Sequence, residues 1–173
     1  MPSVQDEIQQ SRPFPSLADE GVVTLLRTAD TVRRALSKVV APRGITLQQY
    51  NVLRILRGAG DDGLPTLDVA ARMIETTPGI TRLLERLERK GLAARRRCPN
   101  DHRRVLCFAT EAALDALRDL DRPVSDAGRR VLGPLGAAGT KELVRLLNEA
   151  RGAVAPPPIP RKPEERTPDK ETC

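Results

Sequence analysis

Apolar residues recur every three or four positions along most of this chain, and the breaks between these runs delimit its predicted elements. From Leu17 to Val40 the apolar positions follow the helical period, which predicts one long amphipathic helix. Pro42 and Gly44 follow this run and predict its end, because proline lacks the backbone N–H that a continuing helix needs. Five further helices and one hairpin are predicted after it, so the fold class is mainly α with a small β-hairpin.

Three threonines mark the predicted starts of the next helices. Thr46 and Gln49 have the spacing of a capping box, in which each side chain accepts a hydrogen bond from the backbone N–H of the other. Thr66 is a candidate N-cap for a short helix that ends at Ile74. Thr77 is a candidate N-cap for the following helix, and the proline after it is expected in the first turn.

A β-hairpin is predicted directly after this last helix, whose end is marked by Gly91. The runs Leu92–Arg97 and Val105–Ala109 are short and extended in character, and they flank a polar tip at residues 98–103. Two helices joined by a short turn and followed by a hairpin are typical of the winged helix-turn-helix. We therefore expect this motif to centre on residues 66–109, within a unit that spans residues 46–109.

Helical spacing returns at Glu111 and continues to about Leu120. Pro123 predicts a bend or a restart in this helix, and Gly133-Pro134 predicts its end. A last helix is expected over residues 140–150.

The two ends of the chain differ from the rest. Residues 1–16 contain three prolines among scattered polar residues, which predicts a flexible arm. Residues 154–173 are rich in proline and balanced in charge, which predicts a disordered tail.

Composition narrows the possible classes of function. Hydrophobic residues make up 39% of the chain but aromatic residues only 2%, so the core must consist of Leu, Val, Ile and Ala. No apolar run approaches the roughly 20 residues of a membrane span, and a cytoplasmic protein with no membrane partner is expected. The three cysteines lack metal-site spacing, and no set of nucleophile and base is apparent. Neither a metal, a cofactor nor an enzymatic activity is predicted.

Positive charge is concentrated in one short segment. The whole chain has a formal net charge of +6, and residues 82–104 hold nine basic residues against three acidic ones, which is also +6. The rest of the chain is therefore neutral overall. This segment coincides with the predicted helix and hairpin, so an anionic partner is expected to meet that part of the molecule.

The predicted motif assigns DNA contacts to individual residues. The N-terminal end of the second helix is best placed to reach base edges in the major groove. Arg82 is the candidate for bidentate contact with guanine and Arg86 for a phosphate, while Arg103 at the hairpin tip is the candidate for the minor groove. The candidate DNA-binding residues on the helix are Thr77, Pro78, Gly79, Thr81, Arg82 and Arg86, and those on the hairpin are Arg95, Arg97, Asp101, Arg103 and Arg104.

Three alternatives remain beside this interpretation. The charges could only solvate a helix face, but Arg95-Arg96-Arg97 on one short strand should repel one another and add no stability. A winged-helix module could instead use the same basic surface to bind an acidic protein. Cys98 and Cys107 could face each other across the hairpin, where oxidation would distort it.

The segments ITLQQYNVLRIL and LPTLDVAARMIETTPGITRLLERLERKGLAARRRCPNDHRRVLCFAT resemble the MarR family of bacterial transcriptional regulators. The resemblance covers about residues 20–152, and its most specific pieces are PGITRLLERLERKGL and the Asp-x-Arg signature of the hairpin. It implies that Asp101 supports Arg103, which reads the minor groove.

The same resemblance implies a quaternary structure and a function. Residues 17–45 and 110–153 would form a helical dimerisation region, and the homodimer would bind a pseudo-palindromic site on double-stranded DNA as a repressor. Many relatives release DNA when a small aromatic or anionic molecule binds between the two regions, which leaves a small-molecule effector as an open question.

Overall fold

The computed structural model describes residues 3–75, 79–97 and 105–153. Within them the chain is mainly α-helical with a small antiparallel sheet, which confirms the predicted fold class. The helices are α1 (Val4–Glu7), α2 (Leu17–Val40), α3 (Leu47–Ala59), α4 (Thr66–Ala71), α5 (Ile80–Arg89), α6 (Glu111–Leu132) and α7 (Gly136–Gly152). The strands are β1 (Leu64–Pro65), β2 (Ala93–Arg97) and β3 (Val105–Ala109).

Helix starts and ends that depend on local hydrogen bonds lie where the sequence predicts them. Thr46 Oγ1 accepts from the Gln49 N–H at 3.2 Å, and Gln49 Oε1 accepts from the Thr46 N–H at 3.0 Å, so the predicted capping box is formed. At the end of α5, Gly91 has a φ of +68° and the Leu92 N–H donates to the carbonyl of Leu87 at 2.9 Å. This is the glycine-terminated cap that Gly91 predicts.

Three predicted bounds of helices are wrong. Helix α4 begins at Thr66 itself, because Pro65 is the N-cap, and it ends at Ala71 instead of Ile74. Helix α7 begins at Gly136, four residues before the predicted start at Thr140. The Thr140 hydroxyl donates to the Gly136 carbonyl at 2.7 Å, so this threonine lies inside the helix.

Of the bend or restart predicted at Pro123, the restart is wrong, because α6 runs through this residue as one helix; the bend stays a prediction. An interior proline removes one backbone hydrogen bond. The buried residues Ala113, Leu117, Leu120 and Ala127 form one apolar stripe that extends across both sides of the proline. Packing of this stripe against the rest of the core outweighs the missing bond.

The predicted flexible arm contains the short helix α1. The Ser3 hydroxyl and the Asp6 carboxylate form a capping box at its start. Glu7 then makes an ion pair with Arg27 of α2, with 3.3 Å between Oε2 and Nε.

The hydrophobic core joins the sheet to the helices around it. The strand order is β1-β3-β2, and β2 pairs with β3 from Ala93 opposite Ala109 to Arg97 opposite Val105. The largest fully buried side chains come from helices α2 to α6 and from strand β3: Leu53, Leu56, Leu84, Leu87, Leu117, Val40, Val52, Val69 and Cys107. Most of the core is aliphatic, as the composition predicts, and Tyr50 and Cys107 are buried in it as well.

Ion pairs link helix α6 to helix α3 and to the segment that precedes α3. The two guanidinium Nη atoms of Arg57 donate to the two carboxylate oxygens of Asp121, each at 2.9 Å. This contact lowers the pKa of Asp121 below its usual value. Arg43 makes a second pair with Asp119 at 2.7 Å.

No helix within the described residues is both long and apolar enough to cross a bilayer.

Helices α2 and α7 expose apolar side chains that nothing in the described part of the chain covers. The exposed apolar residues of α2, of α7 and of the turn before α7 are Leu17, Val22, Leu25, Leu26, Leu135, Val144, Leu146 and Leu147.

Candidate nucleic-acid interface

Helix α5 separates an apolar face from a basic one. Ile80, Leu83, Leu84 and Leu87 are buried, because their spacing places them on one side of the helix. The other side is exposed to solvent and carries Thr81, Glu85 and three arginines, Arg82, Arg86 and Arg89. The helix therefore presents a basic surface while its apolar residues fix it to the core.

The start of α5 is set by Gly79, which is the N-cap residue with a φ of +87°. A side chain in this left-handed conformation costs about 1–2 kcal/mol, so the position favours glycine. The sequence predicts that Thr77 caps this helix and that Pro78 lies in its first turn. This prediction of the start is wrong, because the helix begins at Ile80. Thr77 and Pro78 themselves lie outside the described residues.

The arginines of the exposed face of α5 are available to a ligand. Arg82 lies in the first turn of the helix and Arg86 one turn later. Within the described part of the chain, neither guanidinium group has an ion pair or a side-chain hydrogen bond. Thr81 is exposed beside them.

The three consecutive arginines of β2 have three different surroundings. Arg95 pairs with Glu88 of α5, Arg96 lies over the ring of Phe108 at 5.3 Å, and Arg97 is exposed. Successive side chains of a strand point to opposite faces, which separates the first two charges. Arg95 and Arg96 thus have partners within the protein, and the expectation that the three charges repel one another and add no stability stays a prediction.

The remaining candidate residues of the hairpin lie outside the described residues. These are Asp101, Arg103 and Arg104, which belong to the segment 98–104 that joins Arg97 to Val105. These two described residues are directly paired across the hairpin.

Comparison with known proteins places this arrangement in a family. The family profile described as MarR family matches residues 43–104. A crystal structure of a MarR transcription factor from Planctomyces limnophilus is 38% identical, with 79% of this chain and 99% of that one covered and a TM-score of 0.61. The chain belongs to the MarR family.

Two further relatives of this MarR-family regulator have informative names. A structure of a mutant MarR from E. coli, complexed with operator DNA, is 25% identical over 73% of this chain and 90% of that one, with a TM-score of 0.67. The homoprotocatechuate degradative operon repressor of Escherichia coli is 26% identical over 131 residues, which are 76% of this chain and 87% of the relative.

The strand register of this MarR-family protein places Cys107 opposite Arg95, not opposite residue 98. Cys107 is fully buried, and its sulfur lies 3.7 Å from the hydroxyl oxygen of Thr66. Burial raises the pKa of this thiol, so little reactive thiolate forms at neutral pH. The hypothesis that Cys98 and Cys107 face each other does not fit this register; Cys98 lies outside the described residues.

Lys90 makes a contact that the sequence analysis missed. Its ammonium group donates to the carbonyl of Gly44 and lies 3.3 Å from Oε1 of the buried Gln49. It thereby ties the C-terminal end of α5 to the start of α3. The charge count of the basic segment includes Lys90, but no local pattern distinguishes it from the other basic residues there.

A groove of about 240 Å³ opens between α2, the start of α3 and the segment after α4. Across it, Arg33 Nε donates to Glu75 Oε1 at 2.8 Å, and the Ile74 N–H donates to Asn51 Oδ1 at 3.0 Å. Leu47 and Met73 supply apolar walls. Glu75 precedes the N-cap of α5 by four residues, so the groove lies next to the chain segment that leads into the basic helix.

Proposed function

We propose that this MarR-family regulator is a homodimeric repressor that binds a pseudo-palindromic operator in double-stranded DNA. The observation that carries the proposal is the exposed face of α5, where Arg82 and Arg86 have no partner within the described residues. Arg97 is exposed on the neighbouring strand and adds to the same positive surface. Unpaired arginines on an anchored helix suit both base edges and phosphates.

The proposed contacts divide between the bases and the backbone. The residues at the N-terminal end of α5 would read base edges, with Arg82 bidentate to guanine, and Arg86 would bind a phosphate. On the hairpin, Arg97 and Arg104 would bind the backbone and Arg103 the minor groove. The base-reading group is Thr77, Pro78, Gly79, Thr81 and Arg82; Asp101 would support Arg103.

The exposed apolar residues of α2 and α7 support the dimer. Leu17 and Leu26 are 84% and 65% exposed, and Val144 is 51% exposed. Apolar surface of this kind is favourable to bury against a second copy, and a two-fold dimer would present two α5 helices to successive major grooves. Occupation of a promoter by such a dimer would block transcription, which fits the name of the E. coli operon repressor.

Replacement of Arg82 by alanine is expected to weaken binding to the preferred duplex by about 1–3 kcal/mol and to relax the base preference at one position of each half-site. The duplex is first selected from a random pool with the wild-type protein and then titrated by fluorescence anisotropy. Arg89→Ala is the matched control, because Arg89 is also exposed on α5 but lies at its C-terminal end.

Equal losses for Arg82→Ala and Arg89→Ala on all duplexes would mean that α5 provides only non-specific charge. No selected duplex at all, together with salt-sensitive binding of an acidic protein, would favour the alternative in which the same basic surface is a protein-interaction module.

The groove beside Glu75 is the proposed site for a small-molecule effector. An aromatic anion would place its ring between Leu47 and Met73 and compete with Glu75 for Arg33, which would release the segment that leads into α5. We expect benzoate to reduce operator binding, benzamide to have no effect, and Arg33→Gln to abolish the response. An equal response to both compounds, or no response to either, would contradict an anion site in this groove.

A further inference from the structure

The guanidinium group of Arg95, on strand β2, makes its contacts with acidic residues of helix α5. Its Nε donates to Oε2 of Glu88 at 2.8 Å, and its Nη2 lies 2.6 Å from the same oxygen. Its Nη1 lies 3.9 Å from Oε1 of Glu85, one helical turn earlier. Both acidic residues of α5 thus lie near one guanidinium group.

Strand geometry explains why Arg95 reaches α5 and its neighbour does not. Arg95 lies on the same face of the strand as Ala93 and is paired with Cys107 of β3. Ala93 and Cys107 are both buried in the core. Its side chain is only 27% exposed. Arg96 points to the other face, where it lies over Phe108.

The two acidic residues of α5 need an explanation on a surface that binds DNA. A carboxylate near phosphates lowers affinity unless a cation neutralises it. Glu85 and Glu88 are the only acidic residues among the described ones between Gly79 and Arg97, and Arg95 lies near both. The two glutamates therefore repel phosphates only weakly. The Arg95–Glu88 contact also connects β2 to α5, over a separation of seven residues in sequence.

We propose that Arg95 is a positioning residue that holds the wing, defined here as β2 and β3, against α5 through Glu88 and does not itself contact DNA. Glu88 then promotes DNA binding, although its negative charge alone would repel the phosphates. The inference rests on the proposed function and replaces the DNA contact that the sequence analysis predicts for Arg95.

The sign of the Glu88→Gln effect separates positioning from direct contact. If Arg95 positions the wing, Glu88→Gln weakens binding to the selected duplex by about three- to tenfold, and so does Arg95→Gln. The double variant is then no weaker than the weaker single variant, because both changes break the same contact. Asp68→Asn is the charge control, since Asp68 is exposed and has no side-chain partner among the described residues.

Binding by Glu88→Gln that is unchanged or tighter than wild type, with a loss for Arg95→Gln alone, would overturn the proposal and assign Arg95 to a phosphate. Thermal unfolding of each variant identifies any loss that comes from global instability.

Hydrogen exchange gives a readout that does not depend on DNA. In Glu88→Gln we expect faster exchange at the backbone amides of β2 and unchanged exchange in α3. Unchanged exchange in β2 would also overturn the proposal. If the wild-type protein prefers no duplex, the proposed function fails, while exchange still reports whether Glu88 holds the wing.

Discussion

Replacement of Leu84 by alanine is expected to lower the free energy of unfolding by about 2–5 kcal/mol, the range found when a fully buried leucine is truncated in a packed core. Leu84 has no exposed surface and lies in the middle of α5, between Leu83 and Leu87 on the buried face. The loss combines the transfer free energy of the deleted carbon atoms with the cost of a cavity.

Urea denaturation at one fixed protein concentration measures this loss, since dimer dissociation would make the apparent stability concentration-dependent. Arg89→Ala on the exposed side of the same helix serves as the control and should change stability by no more than about 0.5 kcal/mol. A loss below about 1 kcal/mol for Leu84→Ala would mean that α5 is not packed on the core as described.

The second large effect is expected at Gly63, where alanine should cost about 2–4 kcal/mol of stability. Gly63 has a φ of +64° and a ψ of −175°, a conformation that is nearly exclusive to glycine. A Cβ atom there would also lie 2.5 Å from Cε1 of Phe108, well inside van der Waals contact. Backbone strain and a steric clash therefore act together.

Gly136→Ala separates these two contributions. Gly136 has the same backbone conformation, with a φ of +63° and a ψ of −177°, but a Cβ atom there would meet nothing within 4 Å. Its loss should therefore be limited to the strain, about 1–3 kcal/mol. Equal losses for the two variants in urea denaturation would show that Phe108 does not pack against Gly63.

Local sequence signals predicted the elements whose ends depend on local contacts. The bounds of α2, Leu17–Val40, follow from one apolar period and a terminal proline, and the capping box at Thr46 needs only residues three positions apart. Strand β3 was predicted at Val105–Ala109 for the same reason.

The start of α5 could not be predicted in this way. A threonine followed by a proline resembles an N-cap and a first helical residue. The helix nevertheless begins after Gly79, because that residue adopts a left-handed conformation which the sequence does not reveal.

Contacts between distant elements of the site were also hidden from the sequence. The pairing of Arg95 with Glu88 requires the angle between β2 and α5, and that of Lys90 with Gly44 requires the packing of α5 on α3. Charge counting placed both cations in the segment that is predicted to bind DNA. It could not distinguish cations bound within the protein from cations available to a ligand.

The most direct test of the proposed function is an equilibrium titration of the wild-type protein with its selected duplex and with a shuffled duplex of the same composition. Both titrations are made at one salt concentration, because phosphate contacts make affinity salt-dependent. We predict two chains per selected duplex and a preference of about 10³-fold or more over the shuffled one. Equal affinity for the two duplexes, or one chain per duplex, would contradict a dimeric reader of DNA sequence.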